Sequence, residues 1–393
     1  MQNDLIFINL VDYKINIMEE DIVILTTLPF TRAMLLKGRL EAEEIQCFLS
    51  NINLIQPTVS TGVKIFVKKD DLTRALKILN AIEKKYSKEK IKELTKKEEI
   101  NVRKILVPVD FSPYSFKAAN FALLLAEKLN AEVHLLHAYY NPVVNISPFF
   151  DVYSYQANID NIVETIELQS KIQLKEFKKN ILTELKKPNI IVNESLVFGM
   201  PTETILYMAS DYKPDLIIMG TKGKGDRADD IIGTVSQKVI EKSEVPVLVI
   251  PEKFEIFDIN DMKNILYVTN FDDSDYRAIW KLVGLISSFN LKLHCLHVGT
   301  SDELPWNKSK MEILLAHIKH NFHNIKITST IKNNKDKAIA IQEYINSKNI
   351  DILSLSTHKK SILLEIFYPN LFKKMLFQTK IPVLVFSSNK KKL

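Results

Sequence analysis

Cysteine is almost missing from this chain. Only Cys47 and Cys295 occur, in what read as different domains, so no disulfide framework is supported and a reducing compartment is expected. Long apolar runs are missing too. Nowhere do eighteen apolar residues follow one another, which excludes a membrane-spanning helix by sequence. The opening "MQNDLIFINLVDYKINIMEED" carries an acid at its fourth position and fails the secretory pattern, so a cytoplasmic protein is expected. Charge of one sign is scarce as well: 53 Lys and Arg against 47 Asp and Glu give +6, spread along the chain, with "NKKKL" reading as a solvated end. Neither nucleic acid nor membrane is expected as a partner on that balance. No GxSxG, HExxH or paired-carboxylate arrangement is present, so dedicated catalysis is not expected.

Glycine is the informative scarcity. There are nine in 393 residues, and four of them stand between Gly220 and Gly233. The stretch "GTKGKGDRADDIIGTVS" follows the apolar "PDLIIMG" and precedes the helix-like "VSQKVIEKSEV", so it reads as a loop from a buried strand to a helix, where anions bind.

An internal repeat sets the organisation. "KILVPVDFSPYSFKAANFALLLAEKLNAEVHLLHA" from Lys104 aligns with "NILYVTNFDDSDYRAIWKLVGLISSFNLKLHCLHV" from Asn264 at a separation of 160, without gaps. "KPDLIIMGT" with "NIDILSLST", and "SEVPVLVIP" with "TKIPVLVFS", follow at 136, so the first copy holds 24 more residues, mostly "YYNPVVNISPFFDVYSYQANIDN". β-Branched runs alternating with helix-period segments predict two tandem α/β domains of the Rossmann-like kind, each a five-stranded parallel sheet covered by helices on both faces. The expected limits are 102–254 and 262–393. Residues 1–87 read strand, helix, strand, strand, helix: a small α+β domain of ferredoxin-like type, followed by a charged linker over 88–101.

Three phosphate-binding spacings can be tried on the glycine stretch. The P-loop fails because Asp226 stands where lysine is needed after Gly225. The dinucleotide fingerprint matches "GKGDRA" but follows the wrong strand. The third pattern is Gly, two residues, Gly, nine residues, Gly, then Ser or Thr; Gly220, Gly223, Gly233 and Thr234 fit it.

On that motif, and on "FGMPTETILYMASDYKPDLIIMGTKG" before it, the chain resembles the universal stress protein family, in the branch that binds ATP. The likeness covers 103–390 as two copies with an adenine nucleotide alpha hydrolase-like fold. The leading segment resembles a family of small signal-transducing domains, through "TRAMLLKGRLEAEEIQCFLS" and "GVKIFVKKDDLTRALKIL". The first resemblance implies a stress or signalling protein that binds ATP, ADP or AMP in the first copy and acts through conformation or a protein partner. A nucleotide-independent scaffold and a slow ATP hydrolase are the other readings.

By the family's pattern Asp110 meets ribose or metal, backbone near Ala138 meets the adenine edge and Pro108 shapes the pocket beside it. Amides at Gly223 and Gly233, with Thr234, Val235 and Ser236, hold phosphate. Mg²⁺ is expected at Asp110, Asp229 and Asp230; alternatively the aspartates of the spacer "KGDRADDII" repel a triphosphate and leave a site for AMP or for nothing. The bland reading of the glycines is that they permit a tight connection.

The second copy has Ser356, Lys359, Pro369 and Asn370 in place of the motif and Asn270 in place of Asp110. If the glycines served the fold alone, a copy that keeps the strands would keep them. His134 with His137, and His294 with His297, face opposite sides of a strand and read as repeat markers, while His317, His320 and His323 read as surface residues. The aromatic insertion with Tyr139, Tyr140, Phe149, Phe150, Tyr153 and Tyr155 reads as a lid over the base, a docking surface or plain packing. "VPVLVIP" and "IPVLVFS" read as edge strands that pair with each other, a pseudo-dimer within one chain, with a further homodimer open.

Overall fold

The computed structural model describes residues 22–28, 30–50, 62–82, 102–140, 152–185, 190–223, 233–255, 258–271, 273–299, 304–322, 325–357 and 380–387. The chain divides into two compact units, 1–98 with 302–313, and 99–301 with 314–393. The linker read over 88–101 lies outside the described residues.

In the first unit the order is β1 (Ile22–Leu28), α1 (Phe30–Ala42), β2 (Cys47–Ser50), β3 (Val63–Lys68) and a helix over 72–82, α2. The strands form an antiparallel sheet in the order β1-β3-β2. Ala33, Leu36 and Leu40 recur on one side of α1 and are buried against Leu25, Val63, Ile65 and Val67, with Ala75 and Leu79 of α2 closing the core. A bulge between Ile24 and Thr26 turns both Leu25 and Thr26 inward. Glu44, at φ 61°, ends α1, and the Ile45 amide reaches back to Leu40 O at 2.9 Å.

The second unit runs β4 (Lys104–Pro108), α3 (Pro113–Leu129), β5 (Glu132–Tyr139), α4 (Val152–Leu185), β6 (Val192–Phe198), α5 (Pro201–Asp211), β7 (Leu216–Gly220), α6 (Thr234–Lys242) and β8 (Val247–Ile250). It continues with β9 (Asn264–Val268), α7 (Asp273–Ile286), β10 (Lys292–Gly299), the part of α8 (Leu304–Asn321) from residue 314 on, β11 (Lys326–Asn333), α9 (Lys337–Lys348), β12 (Ile352–Thr357) and β13 (Val383–Ser387). All thirteen central positions of β7, β8 and the first four of β13 are buried, the continuous apolar pattern of strands covered on both faces.

Ten strands make one sheet, β11-β10-β9-β12-β13-β8-β7-β4-β5-β6. Within each half every pairing is parallel and the order is the same. The halves join at β8 and β13, which pair antiparallel with Leu248 opposite Leu384. The strands read from sequence as edges are therefore the seam, and β6 and β11 are the edges of this sheet.

Side chains repeat the symmetry. Asp215 Oδ2 accepts from the amides of Arg103 and Lys104 at 2.8 and 2.9 Å, and Asp351 Oδ2 accepts from those of Lys263 and Asn264 at 2.7 and 2.8 Å. Phe111 and Phe271 both sit at φ 63° in the turn after the first strand of their half. Left-handed backbone at a bulky residue is uncommon, and its appearance in both halves assigns it to the turn from strand to helix, not to a ligand.

Much of the aromatic insertion of the first half is helical. Residues from Val152 onward belong to α4, of 34 residues where α8 has 18. Phe149 and Phe150 lie outside the described residues, and Tyr153 and Tyr155 are on the helix. Tyr139 anchors this helix: its hydroxyl donates to Glu167 Oε2 at 2.9 Å, while its ring meets Phe198 edge-on at 5.4 Å.

Candidate functional site

β4 lies between β7 and β5, and the connections leave it in opposite directions: α3 leads to β5, and α5 and α6 flank β7. This is a switch point of a parallel sheet, whose strand ends leave a crevice. Three expected residues end neighbouring strands there: Pro108 closes β4, Gly220 closes β7, and Ala138 is the penultimate residue of β5, opposite Val197 of β6.

Asp110 follows β4 directly. Its Oδ1 accepts from the Ser112 amide at 3.1 Å and hydroxyl at 2.6 Å, and Ser112 Oγ in turn caps α3 by accepting from the Ser115 amide at 3.2 Å. The carboxylate is thus held at the strand end by the same residue that starts the helix. Half-buried, it offers oxygens to a hydroxyl or cation in the crevice.

The glycines divide by role. At Gly220 a side chain would put its Cβ 2.8 Å from Tyr114 Cβ, so α3 approaches the end of β7 too closely for any other residue without a shift. Gly233 departs from its expected role. It has an ordinary extended backbone, φ −69° and ψ 146°, and its amide donates to Thr221 O at 2.9 Å instead of pointing at a ligand. That bond ties the start of α6 to the end of β7. Ser236 tightens the same junction, its hydroxyl donating to Gly220 O at 2.8 Å. What α6 presents to the crevice is its amino-terminal turn, with Thr234 exposed as its first residue, and Val235 packs into the core. Gly223 is described and partly exposed; residues 224–232, with Asp229 and Asp230, lie outside the described residues, and so does the metal expectation placed on them. Among the described residues no group of three His, Cys, Asp or Glu is placed to hold a metal ion.

The histidine pairs behave as repeat markers. His137 Nδ1 donates to Val109 O at 2.7 Å and His297 Nδ1 to Thr269 O at 2.8 Å, with Phe111 and Phe271 against the rings at 4.3 and 4.5 Å. His134 instead meets Ser195 Oγ at 2.8 Å, and His294 lies 3.2 Å from Tyr344 Oη, so the members of each pair serve different neighbours. Burial lowers the pKa of both His134 and His294; Glu132 opposes the shift at the first, and Lys292 and Lys348 add to it at the second. His317 and His320 are on α8, and His323 lies outside the described residues.

Sequence reasoning missed one residue, Asp275. It stands in the first turn of α7, 2% exposed, where the first half has Ser115. Its Oδ1 accepts from Tyr267 Oη at 2.7 Å and Ser356 Oγ at 2.6 Å; its Oδ2 accepts from Thr269 Oγ1 at 2.8 Å and the Asn270 amide at 2.9 Å. Ser356 is the counterpart of Gly220, and Tyr267 and Thr269 are those of Val107 and Val109. The place that is glycine and aliphatic in the first half is therefore filled in the second by a carboxylate with four donors. Burial, and then Asp275, raises the Tyr267 phenol well above its ordinary value and pushes the Cys295 thiol up to about 12.

The mostly parallel α/β sheet, with a helix amino terminus, a carboxylate and strand-end backbone around its switch point, has the Rossmann-like arrangement. The profile of the Universal stress protein family matches residues 101–251. Universal stress protein MJ0577 of Methanocaldococcus jannaschii is 33% identical over 155 residues, 38% of this chain and 96% of that protein. Universal stress protein MJ0531 of the same organism is 30% identical over 148 residues, 38% of this chain and 81% of its own length. Among solved structures, a universal stress protein from Archaeoglobus fulgidus aligns over 73% of this chain and 97% of its own, with a TM-score of 0.53 at 17% identity, a likeness of fold. The chain belongs to the universal stress protein family.

Proposed function

We propose that the chain is a signalling protein whose first universal stress domain, 102–254, binds an adenine nucleotide at the switch point between β4 and β7. The second domain of the same kind, 262–393, carries a site that has closed, and residues 1–87 form a small regulatory domain. The observation that carries this reading is the contrast between equivalent places. One half keeps Asp110, the Gly220 to Thr234 motif and an α6 start tied beside the strand end. The other has Asn270 in place of Asp110 and Ser356 in place of Gly220, with Ser356 turned to the buried Asp275.

Ribose hydroxyls then meet Asp110, the adenine edge meets backbone near Ala138 beside Pro108, and phosphate oxygens meet the first turn of α6 with Thr234, while Ser236 holds that turn to Gly220 from behind. A Mg²⁺ carried by the phosphates could be met by Asp110. Nucleotide occupancy would change the surface offered to a partner. A partner that prefers the occupied form must in turn tighten the nucleotide.

Isothermal calorimetry with Mg-ATP, ADP and AMP tests this. The expected result is one nucleotide per chain, weakened about tenfold or more by Asp110→Ala, since a hydrogen bond to a charged group contributes about 1.5–3 kcal/mol. Ligand at a thousand times its Kd should raise the unfolding free energy by about 4 kcal/mol. Two nucleotides per chain would overturn the closed second site. No heat and no thermal shift would overturn nucleotide binding and leave a scaffold.

A further inference from the structure

The small sheet of the first unit has two unlike faces. Val63, Ile65 and Val67 of β3 are fully buried in the core with α1 and α2, so their alternating neighbours Lys64, Phe66 and Lys68 point to the opposite side. Strand register arranges that outer side in rows. Phe66 stands between Ile24 of β1 and Phe48 of β2; Lys64 stands between Thr27 and Ser50; Lys68 faces Ile22. Ile24 is 53% and Phe48 37% exposed.

An antiparallel sheet that faces water on one side ordinarily carries polar residues there. Here the central row is apolar and aromatic, the rows on either side supply two lysines, and no acidic residue stands in them. Residues 22–82 as a whole carry eight Lys and Arg against five Asp and Glu. The near balance of the full chain conceals this local excess. Neighbouring aromatic residues on one face of a sheet, with lysines in the rows on either side, match the chemistry of unpaired bases on a phosphate backbone: each base offers a face for stacking and each phosphate a negative charge.

We propose that the outer face of β1-β3-β2 binds single-stranded RNA. Phe66 and Phe48 stack successive bases, Ile24 extends the apolar row, and Lys64 and Lys68 hold phosphates. The hydroxyls of Thr27 and Ser50, on either side of Lys64, choose RNA over DNA by meeting ribose 2′-hydroxyls.

The test is fluorescence anisotropy of a labelled oligouridylate with the full chain across a salt series. Uridine keeps the adenine site of the other unit out of the measurement, and excess ATP should change nothing. The expected result is saturable binding that Phe48→Ala and Phe66→Leu each weaken about fivefold or more, as loss of one stacked base does. Lys64→Gln with Lys68→Gln should flatten the slope of log K against log salt by about 1.4. Ultraviolet cross-linking of the unaltered chain should place uridine adducts on peptides holding Phe48 or Phe66, a readout that survives if a variant fails to fold. No anisotropy change at roughly 100 µM chain, the weak limit of non-specific binding, or adducts elsewhere only, would overturn the proposal. Equal binding of oligothymidylate would overturn the choice of RNA. Binding of an acidic helical peptide to this face with none of oligouridylate would make it a protein-docking surface instead.

Discussion

Asp275 shows what a single side chain does once its neighbours change with it. A carboxylate buried to 2% is costly unless its lone pairs are satisfied, and here four donors at 2.6 to 2.9 Å satisfy them. Asp275→Ala should therefore cost at least about 1–3 kcal/mol in urea unfolding, the penalty of one buried donor left unsatisfied, since Tyr267, Thr269, Ser356 and the Asn270 amide would lose their acceptor together. The two histidines set a pH dependence. Because both fold with lowered pKa values, the unfolded chain takes up protons first as the pH drops below the ordinary histidine value of 6.5, and stability is lost from there down to the depressed folded values. Denaturation midpoints followed from pH 8 to 5 should fall through this window, less steeply in His134→Gln, by the proton linkage. The sequence displayed the losses in the second half, glycine to Ser356 and Asp110 to Asn270, but not the replacement. Asp275 reads there as an ordinary acid in a first helical turn, and only the fold brings positions 267, 269, 275 and 356 together.

Elements tell which motif positions answer to packing and which to a ligand. Gly220→Ala should cost about 1–3 kcal/mol by overpacking, because Tyr114 must move for the new Cβ, and the displacement of α3 should also weaken nucleotide binding through Asp110. Chemical unfolding beside calorimetry separates the two effects. An unchanged melt with lost affinity would instead give Gly220 a direct part in the site. The Gly233 amide fastens α6 to β7, a role the spacing could not reveal because backbone direction is not written in composition. The strands of the first half were legible from their β-branched runs. The aromatic insertion left a lid, a docking surface and plain packing open. Its continuation "QANIDNIVETIELQSKIQLKEF" has the helical spacing that merges it with α4.

At the scale of the whole second unit the ten strands depend on the seam between β8 and β13, where Val247, Leu248 and Val249 meet Val385, Leu384 and Val383. All six are buried. Hydrogen–deuterium exchange should find their amides among the slowest, and those of β6 and β11, each paired on one side only, faster. Similar rates at seam and edges would mean that the halves part readily. The repeat foretold two copies of one sheet, since each strand run was written twice; the antiparallel sense of their junction depends on which edges are apolar and free, and that follows from the strand order. The junction also settles how the sheet responds to dilution. Both strands belong to a single chain, so one meets the other at an effective concentration set by the tether and not by the number of molecules present. A ten-stranded sheet made this way survives in a cell holding few copies of the protein, where an equivalent pair of separate chains would drift apart.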